Sequence, residues 1–244
     1  MTKSNFVDLS HTIEDGMVTY KGLPPPLISD YLSREDSRGR YAPGIEFQIG
    51  KIEMVANTGT YIDSPFHRYV TGKDLSGLAL ESMANLAGVV VRQVGVAERE
   101  LELAAFKGVA TMALDSPASD NRAITTAALA NLDVKGQAVL FHTGWDMRWR
   151  TDEYANGCHP YLTADAAEYL ASAGAALVGI DSFNLDDTAT GDRPAHSILL
   201  AHGIPIVEHL CGLRELPDSG FRFFAVPPKI RGFGSFPVRA FAIV

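Results

Sequence analysis

Three short apolar runs, Val89-Val-Val91, Ala138-Val-Leu-Phe141 and Leu177-Val-Gly-Ile180, punctuate this chain. Runs of this length read as strands buried within a sheet. Between and after them lie segments with helix signals. Thr125 can cap a helix through Leu132, and Thr163 can cap another that Gly174 closes, with Asp165 and Glu168 in its first turn. Pro194 suits the first turn of a helix ended by Gly203, and the strand Ile204–Val207 then runs into Glu208. Pro205 points to an edge position or a bulge for that strand. Strands and helices mix throughout, with no repeat and no linker of disordered composition. The pattern predicts one α/β domain spanning residues 1–244.

The rest of the chain fills in around these elements. Phe6–Ser10 reads as a first strand, and Lys21–Pro26 as a Pro-stiffened extension. Residues 33–44 are charged and small, as in a loop or lid. Ile45, Phe47 and Ile49 alternate like a half-buried strand, and the phase shifts at Gly50-Lys51, as a bulge or tight turn would cause. A helix is predicted over 78–87, ending at Gly88, and another over 98–106. Short strands follow at Met112–Leu114, which ends in Asp115, and later at Phe221–Val226 and Val238–Val244.

Charge excludes some functions. The formal net charge is −8, so no basic field exists to replace the counterions of a nucleic acid. No apolar run approaches the roughly 18 residues of a membrane span. No signal peptide is visible behind Met1, and two cysteines, Cys158 and Cys211, make no disulfide framework. A cytoplasmic setting is the expectation. No Gly-x-x-x-x-Gly-Lys phosphate loop and no Gly-x-Ser-x-Gly elbow is present.

Chemistry concentrates in Asn57-Thr-Gly-Thr-Tyr-Ile-Asp-Ser-Pro-Phe-His67. Asp63 and His67 stand four residues apart on a backbone shaped by Gly59 and Pro65. Two readings stand side by side. Asp63 caps a short helix begun near Pro65, or the turn carries a reaction. A second pair comes from geometry. The helix from His196 advances roughly 9 Å at 1.5 Å per residue. The strand up to Glu208 returns roughly 13 Å at 3.3 Å per residue. If the strand runs back along the helix, His196 and Glu208 meet, able to share a metal or form an acid/base pair. On spacing alone, two unrelated surface residues are the favoured reading. Asp181, Asp186 and Asp187 could face the site or solvate a loop, and His142, His202 and His209 read as packing or surface residues.

The stretch 57–67 resembles the signature of the cyclase family, which includes bacterial kynurenine formamidases and isatin hydrolases. That signature reads His-x-Gly-Thr-His-x-Asp-x-Pro-x-His. Asp8–His11 with Gly16-Met17, Thr143–Trp145, Gly179–Ser182, Ala195-His196, Gly203-Ile204, Glu208–Leu210 and Pro237–Ala240 resemble further family segments in the same order. The resemblance implies a β-barrel-like mixed sheet with peripheral helices, a homodimer or tetramer, and metal-dependent hydrolysis of a small amide, lactam or lactone. It implies Asp63, His196 and Glu208 as metal ligands and His67 as acid/base.

The chain departs from the signature where Asn57 and Tyr61 replace its first two histidines, both metal ligands in the family. Asn is a weaker ligand, and a phenol binds well only when deprotonated. The expectation is therefore one divalent ion, zinc or manganese, on Asp63, His196 and Glu208. The alternatives are no metal, with His67, Asp63, Glu208 and Tyr61 forming an acid/base site for an elimination, a cyclisation or hydrolysis of an already reactive substrate, and a catalytically silent member that binds a small ligand. Asn57, Tyr20, Phe66 and Trp145, with Phe183, are expected to contact a small-molecule substrate.

Overall fold

The structure, a computed structural model, describes residues 5–94 and 122–244. The strands are β1 (Phe6–Asp8), β2 (Leu27–Leu32), β3 (Ile49–Glu53), β4 (Tyr61–Asp63), β5 (Leu86–Arg92), β6 (Ala123–Ile124), β7 (Gln137–His142), β8 (Tyr161–Leu162), β9 (Leu177–Ile180), β10 (Ile206–Glu208), β11 (Ser219–Phe224), β12 (Ser235–Pro237) and β13 (Phe241–Ile243). The helices are α1 (Arg34–Ser37), α2 (Ala164–Ala173) and α3 (Pro194–Ala201). The predicted helix over 98–106 and strand Met112–Leu114 lie outside the described residues.

Nine strands form one mixed sheet in the order β1-β13-β11-β5-β7-β9-β10-β4-β12. The centre, β5-β7-β9-β10, is parallel, and antiparallel strands flank it on both sides. The three apolar runs of the sequence supply much of this centre. They are unbroken because both faces of those strands are covered. Val89, Val91, Val139, Phe141, Val178 and Ile180 share one face with Ala166, Ala167 and Leu170 of α2 and Leu199 of α3. Val90, Ala138, Leu140 and Leu177 share the other with Phe221 and Phe223 of β11 and Ala240 and Ala242 near the C-terminus. The result is the expected single-domain α/β fold. Its sheet is curled and open, with β1 and β12 at its two edges, rather than a closed barrel.

Several local expectations change. The helix over 78–87 is only a 3-10 turn, Leu80–Ser82, followed by β5, which carries Gly88 in its interior. Gly88 does not end a helix. It clears room for Phe221, whose ring would lie 2.1 Å from an added Cβ. The segment after Thr125 also shortens to a 3-10 turn, Thr126–Leu129. Pro205 precedes an interior strand rather than an edge one. It sits just before β10, where no amide donor is demanded, and its carbonyl still accepts from Val178 at 3.1 Å. α2 and α3 begin and end where expected, with Gly174 left-handed at φ 80° and Pro194 in the first turn. The Thr163 hydroxyl, however, donates to the Ile124 carbonyl at 3.0 Å instead of capping α2, and of the two expected acids only Asp165 lies in its first turn.

The alternation near residue 49 does not mark a half-buried strand. Among the described residues β3 pairs only with β2, in a separate two-stranded ribbon. Leu27, Ile28, Tyr31, Ile49 and Ile52 are all exposed on it. The expected irregularity exists, but in the partner strand, where the register slips between Asp30 and Leu32. Residues 33–44 join the two strands, beginning with α1, which Ser33 caps by accepting from the Asp36 amide.

Candidate active site

Strand register builds the first half of the site. β4 lies between β10 and β12, with Tyr61 paired to Glu208 and Asp63 paired to Ser235. Side chains directly opposite across a ladder lie about 5 Å apart at Cβ. Tyr61 and Asp63 share one face because they are two residues apart. Ile62 points the other way, into the core. Both cross-strand pairs become hydrogen bonds. The Tyr61 hydroxyl donates to Glu208 Oε2 at 2.5 Å, and the Ser235 hydroxyl donates to Asp63 Oδ1.

The first turn of α3 supplies the third group. His196 Nε2 lies 3.6 Å from Asp63 Oδ2 and 3.5 Å from Glu208 Oε1. The convergence of His196 and Glu208 expected from segment lengths is thus present. Asp186 holds the helix start, accepting from the amides of Ala195 and His196 at 2.7 and 3.1 Å. The same carboxylate lies 2.6 Å from His196 Nδ1. With Nδ1–H donating to Asp186, Nε2 is the nitrogen turned toward Asp63 and Glu208.

Asp63, His196 and Glu208 are all buried, and their donor atoms lie within 4.8 Å of one another. Asp63 Oδ2 is buried with no hydrogen-bond partner in the structure. A tetrahedral ion with bonds near 2.1 Å separates its ligand atoms by about 3.4 Å. The two distances from Nε2 match that edge, and the one orphaned oxygen points to the same place. The donor set of one imidazole and two carboxylates fits a divalent ion.

Without an ion, charge settles differently. Burial alone would lower the His196 pKa, but the Glu208 charge, the bond to Asp186 and the Asp63 carboxylate 3.6 Å away outweigh it and raise it to about 10. Burial raises Glu208, and the neighbouring Asp63 charge adds to this against the pull of His196. A proton and a metal ion therefore compete for one nitrogen.

His67 closes the 3-10 turn Pro65–His67 beside this cluster. Its Nδ1 lies 2.8 Å from Ser235 Oγ and 3.5 Å from Asp63 Oδ1. Since Ser235 gives its proton to Asp63, His67 Nδ1–H donates to Ser235, and Nε2 is left as a base. The turn is clamped from outside. Ser64 donates its amide and hydroxyl to the Gly234 carbonyl at 2.7 and 3.0 Å. A Cβ on Gly234 would lie 2.5 Å from His67 Cα, so only glycine admits this approach.

A chain of phenols runs behind Glu208. Tyr20 Oη lies 2.8 Å from Tyr61 Oη, His209 Nε2 lies 3.1 Å from Tyr20 Oη, and Tyr154 Oη lies 2.8 Å from His209 Nδ1. Burial, reinforced by the Glu208 charge, pushes Tyr20 and Tyr61 well above the usual phenol range. Burial also pushes His209 well below the usual imidazole range. Neutral groups suit one direction of donation, from Tyr154 through His209, Tyr20 and Tyr61 to Glu208.

A cavity of about 270 Å³ opens onto these groups, lined by Tyr20, Asn57, Tyr61, His67, His196 and Glu208 among others. Phe66 and Trp145, expected at the substrate, are not among its lining residues. Trp145 is buried against Tyr154 and Phe183, with its indole N–H on the Tyr154 carbonyl at 3.0 Å. Asp186 was ambiguous in the sequence, and Ser235 carried no signal there beyond its place near the last strand.

The Cyclase family model matches residues 7–187. The chain belongs to the cyclase family. Its cyclase relatives include kynurenine formamidases of Bacillus cereus, 25% identical over 242 residues, and of Bacillus anthracis, 24% identical over 242, each covering 98% of both chains. Isatin hydrolase A from Labrenzia aggregata, solved with benzyl benzoate, superposes with a TM-score of 0.75 at 20% identity, covering 99% of this chain and 94% of that one. Isatin hydrolase A from Ralstonia solanacearum gives 0.73 at 21% identity, covering 99% and 92%. The cyclase fold is thus shared along the whole chain.

Proposed function

We propose that this cyclase-family protein is a hydrolase of a small amide, lactam or lactone. It uses a metal-activated water, with His67 as acid/base. The observation that carries this reading is the orphaned Asp63 Oδ2, aimed with His196 Nε2 and Glu208 Oε1 at one point beside His67. Relatives that are kynurenine formamidases support the substrate class.

Asp63, His196 and Glu208 would hold one divalent ion, zinc or manganese. Such an ion supplies Lewis acidity, lowering the pKa of water and polarising a carbonyl. His67 Nε2 takes the proton of the attacking water and returns it to the leaving group. Ser235 and Asp63 hold the His67 ring for that exchange, and Asp186 holds His196. Tyr61 acts as a hydrogen-bond donor to Glu208 rather than as a phenolate ligand, because its hydroxyl is already engaged on Glu208 Oε2. Asn57 and Tyr20 orient the substrate from the cavity wall.

The protonated His196 favours one rival reading. An imidazolium between two carboxylates satisfies the cluster without metal, and His67, Asp63, Glu208 and Tyr61 would then serve an elimination or cyclisation. Elemental analysis of protein purified without added metal or chelator separates the two. About one ion per chain, lost together with hydrolysis of formyl-anilides or lactones on chelation, is the expected result. Activity indifferent to chelation in metal-free protein would favour the rival. The exposed apolar ribbon β2–β3 supports a homo-oligomer. A monomer by light scattering would remove that part of the proposal.

A further inference from the structure

We propose that the cavity selects substrates bearing a carboxylate, which Arg68 and Arg193 hold at its rim while the bond to be broken lies against Asp63, His196 and Glu208. This rests on the hydrolase reading above and names the substrate class of that site.

Both arginines line the cavity. Arg68 is exposed and Arg193 half-buried, whereas the three acidic and imidazole groups within are buried. The positive charge therefore sits on the outer side of the cavity and the negative charge on the inner side. Several arginines of this acidic chain pair with carboxylates, as Arg38 does with Glu46 and Arg239 with Asp8, while exposed ones away from the cavity such as Arg34 and Arg40 do not among the described residues. Among the described residues, Arg68 and Arg193 pair with none.

The two are placed differently. Arg68 follows His67 directly, at the end of the 3-10 turn. Its guanidinium makes no hydrogen bond among the described residues, so its five donors are free. Arg193 is the N-cap residue of α3. Its Nη1 donates to the carbonyls of Asp187, Thr190 and Asp192 at 3.1, 2.7 and 2.7 Å. Those bonds fix the guanidinium and leave Nη2 and Nε for a ligand. A planar fork held in place suits a carboxylate, which it meets through two parallel bonds.

The helix start itself is not the anion site. Its amides at Ala195 and His196 are already taken by Asp186. In the metal-free cluster an anion that settles deeper meets Asp63 and Glu208. The ligand's own carboxylate thus stays at the rim, which orients the rest of the molecule inward. A cavity of about 270 Å³ admits a single substituted ring behind it.

The alternative is that the guanidiniums merely balance the inner carboxylates, which predicts no preference between charged and neutral ligands. Two probes of one shape decide, 2-acetamidobenzoate and acetanilide, titrated calorimetrically into the protein as purified. The expected result is binding of the anion tighter by about tenfold or more. Arg68→Gln should remove much of that preference, Arg193→Gln the rest, and binding of acetanilide should stay unchanged. Arg68→Lys should restore part. Arg68→Gln has no internal bond to lose, so it carries the test even if Arg193→Gln disturbs its loop. An anion that binds no better than acetanilide, or a preference that survives in Arg68→Gln/Arg193→Gln, overturns the proposal. In the second case the carboxylate sits elsewhere, on a bound ion for example. Hydrolysis of formanilide is assayed separately. Turnover without anion preference sinks the selectivity alone, and preference without turnover of any amide sinks the hydrolase reading alone.

Discussion

Replacing Tyr61 by Phe removes one atom from the most connected position of the site. The Tyr61 hydroxyl donates to Glu208 Oε2 at 2.5 Å and lies 2.8 Å from Tyr20 Oη. Among the described residues, the other side-chain donor near Oε2 is Tyr20, at 3.4 Å. A buried hydrogen bond to a charged group is worth about 1.5–3 kcal/mol. Partial takeover by Tyr20 places the expected loss near 2 kcal/mol, or about 4–8 °C in Tm for a domain of this size. Glu208 also loses a bond that lowers its pKa, so it ionises less readily. Groups that orient a ligand in this way contribute roughly 10–100-fold to metal affinity. Urea unfolding of the metal-free protein reads the first effect, and competition with a chromophoric chelator reads the second. Unchanged stability and affinity would refute the bond itself. Complete loss of metal binding would refute the donor role and make Tyr61 a ligand.

Other expectations follow from the same geometry. In the metal-free protein His196, raised to about 10, is protonated at neutral pH. Its ion pairs stabilise the fold below the unfolded value of about 6.5 and are lost as pH rises through about 10. Metal binding must expel that proton, so calorimetry in buffers of different ionisation enthalpy should show at least one proton released per ion, with affinity rising as pH approaches 10. No buffer dependence would contradict the competition at Nε2. Gly234→Ala forces a Cβ to 2.5 Å from His67 Cα. It should cost about 1–3 kcal/mol of stability and lower kcat more than it raises KM, because it moves the turn that carries the base. Unchanged kinetics would show that the clamp does not position His67.

Much of this was legible in the residues, for physical reasons. Strands covered on both faces write themselves as unbroken apolar runs, and α2 and α3 carry Gly174 and Pro194 where their backbones need them. Rise per residue allowed His196 to meet Glu208, and the resemblance to the cyclase signature, not spacing alone, made that meeting the expectation. Other features leave no such trace. β4 has three residues, too few for a period to show, and its partners lie far along the chain. Ser235 matters only because register places it opposite Asp63. Asp186 is one acid among several in a loop until α3 begins beside it. The alternation of Ile45, Phe47 and Ile49 misled because it reports side-chain direction, not whether anything covers the face. Among the described residues, no layer covers the ribbon.

The position of β4 between β10 and β12 has a consequence for the order in which the protein is made. Asp63 and Ser235 are separated by 172 residues, and Tyr61 and Glu208 by 147. At about 5–20 residues per second, a ribosome that has delivered Asp63 needs on the order of ten seconds or more to deliver Ser235. Until Glu208 emerges β4 has neither neighbour, and until Ser235 emerges it has at most β10, so Asp63 and His67 lack the Ser235 hydroxyl that holds them. A nascent chain therefore carries the signature stretch without a working centre. Competence arrives only when the last strands slide in on either side of residues emitted long before.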